Sequence, residues 1–313
     1  MGSHFGDYPF SNKEGNLVIS EDFMFGDSWL SEWSMKMYDP ENSQSFVSRN
    51  VDKSEITSLR AKPNHFGTTY SDALVLDFLI IKDEDECETW EDYKLTGDDI
   101  HYLRGWLESP KKPTELVVPL KQDYMTAHYF GVFTNVQPFN HCGDCFGLYL
   151  QFTCNAPYAY SDERKSIFRV TDGSASVNGR VINLSSEHQE YLKPKVIITS
   201  SSTFGSDETL EIKNVSDNNN AMAITLPEGK SQITLDCEQK IVTDQNGKLI
   251  ALGDIGVVPS ETDSYNFIST DMVLFYWLSF VPNENNLVFT PSDGNTIQDI
   301  QIRYRDILKA GGF

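Results

Sequence analysis

His141-Cys142-Gly143-Asp144-Cys145 places an imidazole beside two thiols with Cys-x-x-Cys spacing, the set of donors that a zinc ion takes. Cys154, further along, makes a fourth position, so His141, Cys142, Cys145 and Cys154 are the metal-ligating candidates of this chain. A structural zinc site usually draws its other half from a second matching pair, and Cys87 and Cys237 stand alone. Cys154 also alternates in phase with Leu150 and Phe152, where a thiol behaves as a small hydrophobe. The expectation is an ordinary hairpin tip and no cofactor.

Other catalytic patterns are missing from the sequence. It has no G-x-S-x-G elbow, no H-E-x-x-H and no phosphate-binding loop. His65, His101, His128 and His188 have no neighbouring Ser, Cys or Asp in a triad-like arrangement. With 46 acidic residues, any one pair of carboxylates says little. The run "DEDECETWED" (residues 83–92) lacks the glycine of a calcium loop and reads as a solvated loop. No catalytic residue is assigned, and the expectation is a protein that is not an enzyme.

The charge balance narrows the partners. Twenty-five basic residues against 46 acidic give a formal −21, which repels phosphate backbones. Five cysteines, an odd number, and the lack of a leader pattern fit a chain made in a reduced cytosol. No apolar run approaches the roughly 20 residues of a spanning helix, so no membrane insertion is expected.

Elements that could position these residues are mostly strands. "ALVLDFLII" (73–81) reads as a strand buried on nearly both faces, while "GLYLQFTC" (147–154) alternates and is wet on the side of Tyr149, Gln151 and Thr153. One helix is convincing: Thr96 as N-cap with Asp99 three residues on makes an acidic capping box, Leu95 can staple to Ile100, and Pro110 and Pro113 end it. Ile100, Leu103 and Leu107 give it one apolar face with Trp106 alongside. Residues 38–67 are polar and turn-rich, an excursion from the sheet.

After Pro157 the charged "YSDERKS" reads as a boundary, giving domains 1–160 and 161–313. Beyond it, short strands recur: "KVIITS", "TLEIKNV", "AMAITL", "SQITLDC", "QKIVTD", "LIALG", "VLFYWLSF", "NLVFT" and "DIQIRY". Asn246-Gly247 is a hairpin turn in which both residues accept positive φ. Tyr265, Phe267, Tyr276 and Trp277 could stack on a sugar ring, but they more simply supply core.

"YLRGWLESPKKPTELVVP", "AHYFGVFTNVQPF" and "FGLYLQFTCNAPYAYSDE", in that order, resemble the N-terminal domain of siphophage-type distal tail proteins. "DCEQKIVTDQNGK", "FYWLSFVPNENNLVFT" and "IQIRYRDILKAGGF" resemble that family's closing hairpin and strands. The ordered set covers most of the chain from about Ser28. The segment before Ser28 is longer and more aromatic than the family pattern, and "HCGDC" has no role in it.

The resemblance implies a mainly β protein. An N-terminal β-sandwich with one helix and an extended hairpin arm is followed by a galectin-like β-sandwich. It implies a structural role at the tip of a phage tail or tail-like particle such as a tailocin: a homo-hexameric ring, the baseplate hub. The partners it implies are other copies of the chain, the tail tube protein, a tail-associated lysin or hub protein, and receptor-binding proteins, with DNA passing through the lumen unbound. A carbohydrate-binding module that attaches a particle to the cell surface is the alternative.

Overall fold

The computed structural model describes residues 21–38, 49–53, 65–70, 72–83, 85, 87–120, 125–170, 176–186, 191–255 and 276–308; for 49–53, 65–70, 120 and 125 only the backbone is described. The protein is mainly β, with one α-helix among the described residues. It divides into two compact units, residues 1–162 with 308–313, and residues 163–307.

The first unit contains β1 (Met24–Phe25), β2 (Ser28–Trp29), β3 (Met35–Tyr38), β4 (Arg49–Lys53), β5 (His65–Tyr70), β6 (Val75–Lys82), α1 (Gly97–Glu108), β7 (Thr114–Leu120), β8 (Met125–His141), β9 (Asp144–Cys154) and β10 (Ala159–Tyr160). Its main sheet runs β2-β1-β7-β8-β9-β6-β3, and β10 adds to β8 through Tyr160 opposite His128. In that order β1 and β6 are four strands apart, about 19 Å in a flat sheet. Yet Phe23, which leads into β1, packs its ring 5.4 Å from that of Phe78 on β6. The sheet therefore curls over its own core.

Two local features let β8 run 17 residues through this curl. A Cβ at Gly131 would lie 2.1 Å from the Thr153 carbonyl oxygen, so only glycine allows the strands to approach there. Past Gly131, β8 pairs with β9 alone, which leaves Pro138 an edge where its missing N–H is no loss. The described part of the polar excursion is the separate antiparallel ribbon β4–β5. The rest of that excursion, 39–48 and 54–64, lies outside the described residues.

In the second unit follow β11 (Arg164–Arg169), β12 (Val177–Asn183), β13 (Lys195–Ser200), β14 (Thr209–Asn214), β15 (Asn220–Thr225), β16 (Gln232–Asp236), β17 (Ile241–Asp244), β18 (Leu249–Ile250), β19 (Asn283–Pro291) and β20 (Ile297–Tyr304). A six-stranded sheet, β11-β20-β13-β16-β17-β18, and a four-stranded sheet, β12-β19-β14-β15, share one core. Val196, Ile198, Ile233 and Ile300 come from the first sheet, and Leu210, Ile212, Met222 and Phe289 from the second. Both sheets alternate inward and outward residues, as a sandwich requires.

Two sequence expectations change here. The charged "YSDERKS" is not all connection: β11 starts within it, an edge strand whose outward Lys165, Ile167 and Arg169 hid its period. And "VLFYWLSF" is not a strand in its described part, since Tyr276–Ser279 has irregular backbone that ends in a single bridge between Phe280 and Leu192. Side chains hold that segment instead. Asn285 Oδ1 accepts the Val281 N–H (2.9 Å), Asn214 Nδ2 donates to the Ser279 carbonyl (2.8 Å), and the Tyr276 hydroxyl bonds to the Asp217 carboxylate.

Candidate functional site

The metal-ligating candidates lie on one hairpin, β8–β9. Its two-residue turn is Cys142-Gly143, with φ of 52° and 94°, between the paired His141 and Asp144. Positive φ at both turn residues matches the right-handed twist of the flanking strands. His141, Cys142 and Cys145 are thus brought to one tip. Cys145 Sγ donates to the Gly147 carbonyl (3.3 Å), and Cys142 is exposed.

Cys154 is elsewhere. It closes the far end of β9, about 30 Å from Cys145 at the rise of an extended strand, and faces the core beside Phe152. Burial pushes its thiol up to about 12, and its place in the core takes it out of reach of the tip. Among the described residues no cluster of three His, Cys, Asp or Glu is spaced to hold a metal. All five cysteines are outside disulfides.

Helix α1 begins where this tip is braced. Thr96 Oγ1 accepts the Asp99 N–H (3.2 Å) and Asp99 Oδ2 accepts the Thr96 N–H (2.8 Å), the reciprocal box expected from the sequence. The preceding Leu95 N–H donates to the Cys145 carbonyl (2.7 Å), and Lys94 bridges Glu91 (2.7 Å) and Asp144 (2.9 Å). These two carboxylates hold the Lys94 ammonium above its ordinary value. Leu103 and Leu107 are buried, and Trp106 stacks on Phe23 (5.9 Å) and Trp33 (5.7 Å) while its indole N–H donates to the Phe25 carbonyl (3.3 Å).

One polar cluster was not legible in the sequence. His128 on β8 lies with Nδ1 2.7 Å from Glu115 Oε1 and Nε2 2.8 Å from Asp162 Oδ1. Those partners are 13 and 34 residues away, and only the pairing of β8 with β7 on one side and β10 on the other assembles them. Both ring nitrogens are occupied by carboxylates, so the imidazole has none left to serve as base toward a nucleophile. Its chemistry here is to tie β7, β8 and the end of the first unit together. His101 and His141 are exposed, whereas the side chain of His65 and all of His188 lie outside what is described.

In the second unit, Tyr276 and Trp277 pack against the core rather than forming an outward platform. Burial first, then the Asp217 carboxylate, raise the Tyr276 hydroxyl above its ordinary range. Tyr265 and Phe267 lie outside the described residues. No helix among the described residues is long and apolar enough to cross a membrane.

What these units define is a two-part β protein whose polar groups are spent on holding strands, hairpins and segment ends in place. Residues 18–156 match the sequence profile of the family described as phage tail protein N-terminal domain, and residues 158–254 that described as phage tail C-terminal domain. The chain belongs to this phage tail protein family, and its place is the virion tail. No curated protein matches it.

Among solved structures it is similar to the Dit (gp 19.1) protein of phage SPP1, described as a paradigm of the hub adsorption apparatus in phages infecting Gram-positive bacteria. That likeness has 14% identity, covers 93% of this chain and 99% of the other, and has a TM-score of 0.57. It is also similar to chains of the phage P2 baseplate in its activated conformation. The calcium form gives 9% identity, 91% and 97% coverage and a TM-score of 0.48; the strontium form gives 10%, 90% and 97%, and 0.48. The fold expected from the resemblance to distal tail proteins is the fold found, over both units of the chain.

Proposed function

We propose that this protein is a distal-tail hub: a subunit of a closed six-membered ring that joins the tail tube to the tail-tip or baseplate proteins of a phage or tail-like particle. The observation that carries this reading is the SPP1 Dit likeness over 93% of the chain, which spans both compact units, together with the tail-family profiles. The role is structural rather than catalytic, consistent with an imidazole saturated by carboxylates. Its partners in this reading are copies of itself, the tube protein above and a lysin or hub protein below. DNA crosses the lumen without binding, because a chain of formal charge −21 releases no counterions from the duplex.

Rotational classification of negatively stained particles tests the ring directly. Sixfold rings with a central hole are the expected result. Particles that stay single at every concentration, also when the tube protein is added, would overturn it.

A further inference from the structure

The first unit carries two exposed patches of opposite character at the two ends of helix α1. At its N-terminal end, against the β8–β9 tip, Trp90 is 40% exposed and packs 4.9 Å from the ring of Phe146, with Tyr93 (6.3 Å from Trp90) and His141 (6.4 Å from Phe146) beside them. The segments that carry this aromatic patch are acidic. Residues 87–99 and 141–146 contain Glu88, Glu91, Asp92, Asp98, Asp99 and Asp144 against the single basic Lys94. At the C-terminal end, Lys111 and Lys112 stand exposed between Pro110 and Pro113. A 12-residue helix separates the two patches by roughly 18 Å.

The lysine turn is the exception in its unit. Lys36, Lys82, Lys94 and Arg104 each meet a carboxylate within the chain. Among the described side chains of the first unit, Lys111 and Lys112 are the basic groups without one. The turn is also stiff. The prolines fix φ at its two ends, and the Thr114 hydroxyl donates to the Lys112 carbonyl (3.1 Å), so the backbone that presents the ammonium groups needs little further ordering. Complementing the helix macrodipole explains why cations suit this end, but one neighbouring charge would do that and would not need a proline frame.

We propose that the Lys111–Lys112 turn of one copy docks on the Trp90–Phe146 patch of the next. An ammonium over an aromatic face, with carboxylates on the same segments, gains cation–π and ionic attraction at one place. Because the donor and acceptor patches differ and lie on the same unit, the contact is head-to-tail, the type that closes into a ring when the rotation allows. The inference rests on the ring reading above and supplies its contact.

Charge swapping tests it in the full-length protein, with sedimentation velocity as the readout of assembly. K111E/K112E and E88K/E91K should each weaken self-association at least tenfold. The chain carrying all four changes, in which the complementary charges are exchanged, should recover most of it. Association of the wild type should also fall between about 0.05 M and about 0.5 M salt as the Debye length shrinks. Each variant's folding is checked by its far-UV circular dichroism and melting curve. Should wild-type oligomers persist unchanged in the two charge-reversed variants, or the four-fold variant fail to recover while folded, this contact is overturned and the ring reading stands. A wild type that stays monomeric throughout, with and without the tube protein, overturns the ring reading and the contact with it.

Discussion

In the first unit the aliphatic core surrounds a cluster of rings: Phe25, Phe133 and Phe152 meet at centroid distances of 4.9, 5.1 and 6.1 Å, and Phe23 and Trp106 continue the cluster to the surface at Trp33. In the second, branched aliphatic side chains fill most of the space between two sheets, Val196, Ile198, Ile212, Ile224, Ile233 and Ile300 among them, with fewer rings and with polar side chains at its margin. There Asn214 and Asn285, both fully buried, bond to each other (2.9 Å) and to the Ser279 carbonyl, the Val281 N–H and carbonyl, and the Asn283 carbonyl at the start of β19. The difference follows from what each unit must hold. A single sheet curled over itself leaves an irregular space that large flat rings fill, while two parallel layers are matched by branched aliphatics. A sandwich with a segment that leaves the ladder must replace lost backbone partners, and the asparagines supply them.

That comparison can be broken in order of size. Phe152→Ala removes a fully buried ring from the first unit and should cost about 3–5 kcal/mol in urea unfolding. A cost near 1 kcal/mol would mean that the curled core closes over the gap, and the ring-filling argument would fail. Asn285→Ala strips partners from the Val281 N–H and the Asn214 amide, and about 1–3 kcal/mol is expected for a buried group left unsatisfied. Hydrogen exchange of the Val281 amide should accelerate in the same variant; unchanged protection would show that the segment holds without the asparagine.

Smaller effects probe the edges of each unit. Thr96→Ala removes half of the capping box and should destabilise the first unit by about 1 kcal/mol, with no change in the second. In the second unit Asp244 accepts the Lys230 ammonium (2.9 Å) and the N–H groups of Asn246 and Lys248, which hold its carboxyl down to about 2 from an ordinary 3.8. Since the folded value is the depressed one, this carboxylate adds stability above about pH 4 that is lost as pH falls toward 2. Asp244→Asn should flatten that part of the acid-unfolding curve; a curve that keeps its slope would place the acid sensitivity elsewhere.

Much of this is visible in the sequence where one local rule decides. Thr96 and Asp99 mark the helix start because capping needs only residues three apart, and the period-two run from Gly147 to Cys154 marks β9 because each strand side chain answers to one face. The turns show where local rules stop. Asn246-Gly247 looks like the tighter hairpin, yet only Gly247 takes positive φ (74°), because Asp244 ties the backbone into a longer loop. The two-residue turn with both φ positive is Cys142-Gly143 instead, forced by the long register of β8 on β9.

Composition, alternation and capping by themselves determined that this is a mainly β chain of strongly acidic charge with a helix starting after Thr96, because those are sums or short-range rules over neighbouring residues. Only the tertiary structure decided that His128 is clamped by Glu115 and Asp162, that Cys154 is out of reach of Cys142 and Cys145, and that Tyr276–Ser279, the described part of "VLFYWLSF" before its bridge, is not a strand. Each of these depends on strand register, which pairs residues dozens of positions apart and is set by the hydrophobic faces as a whole rather than by any short stretch.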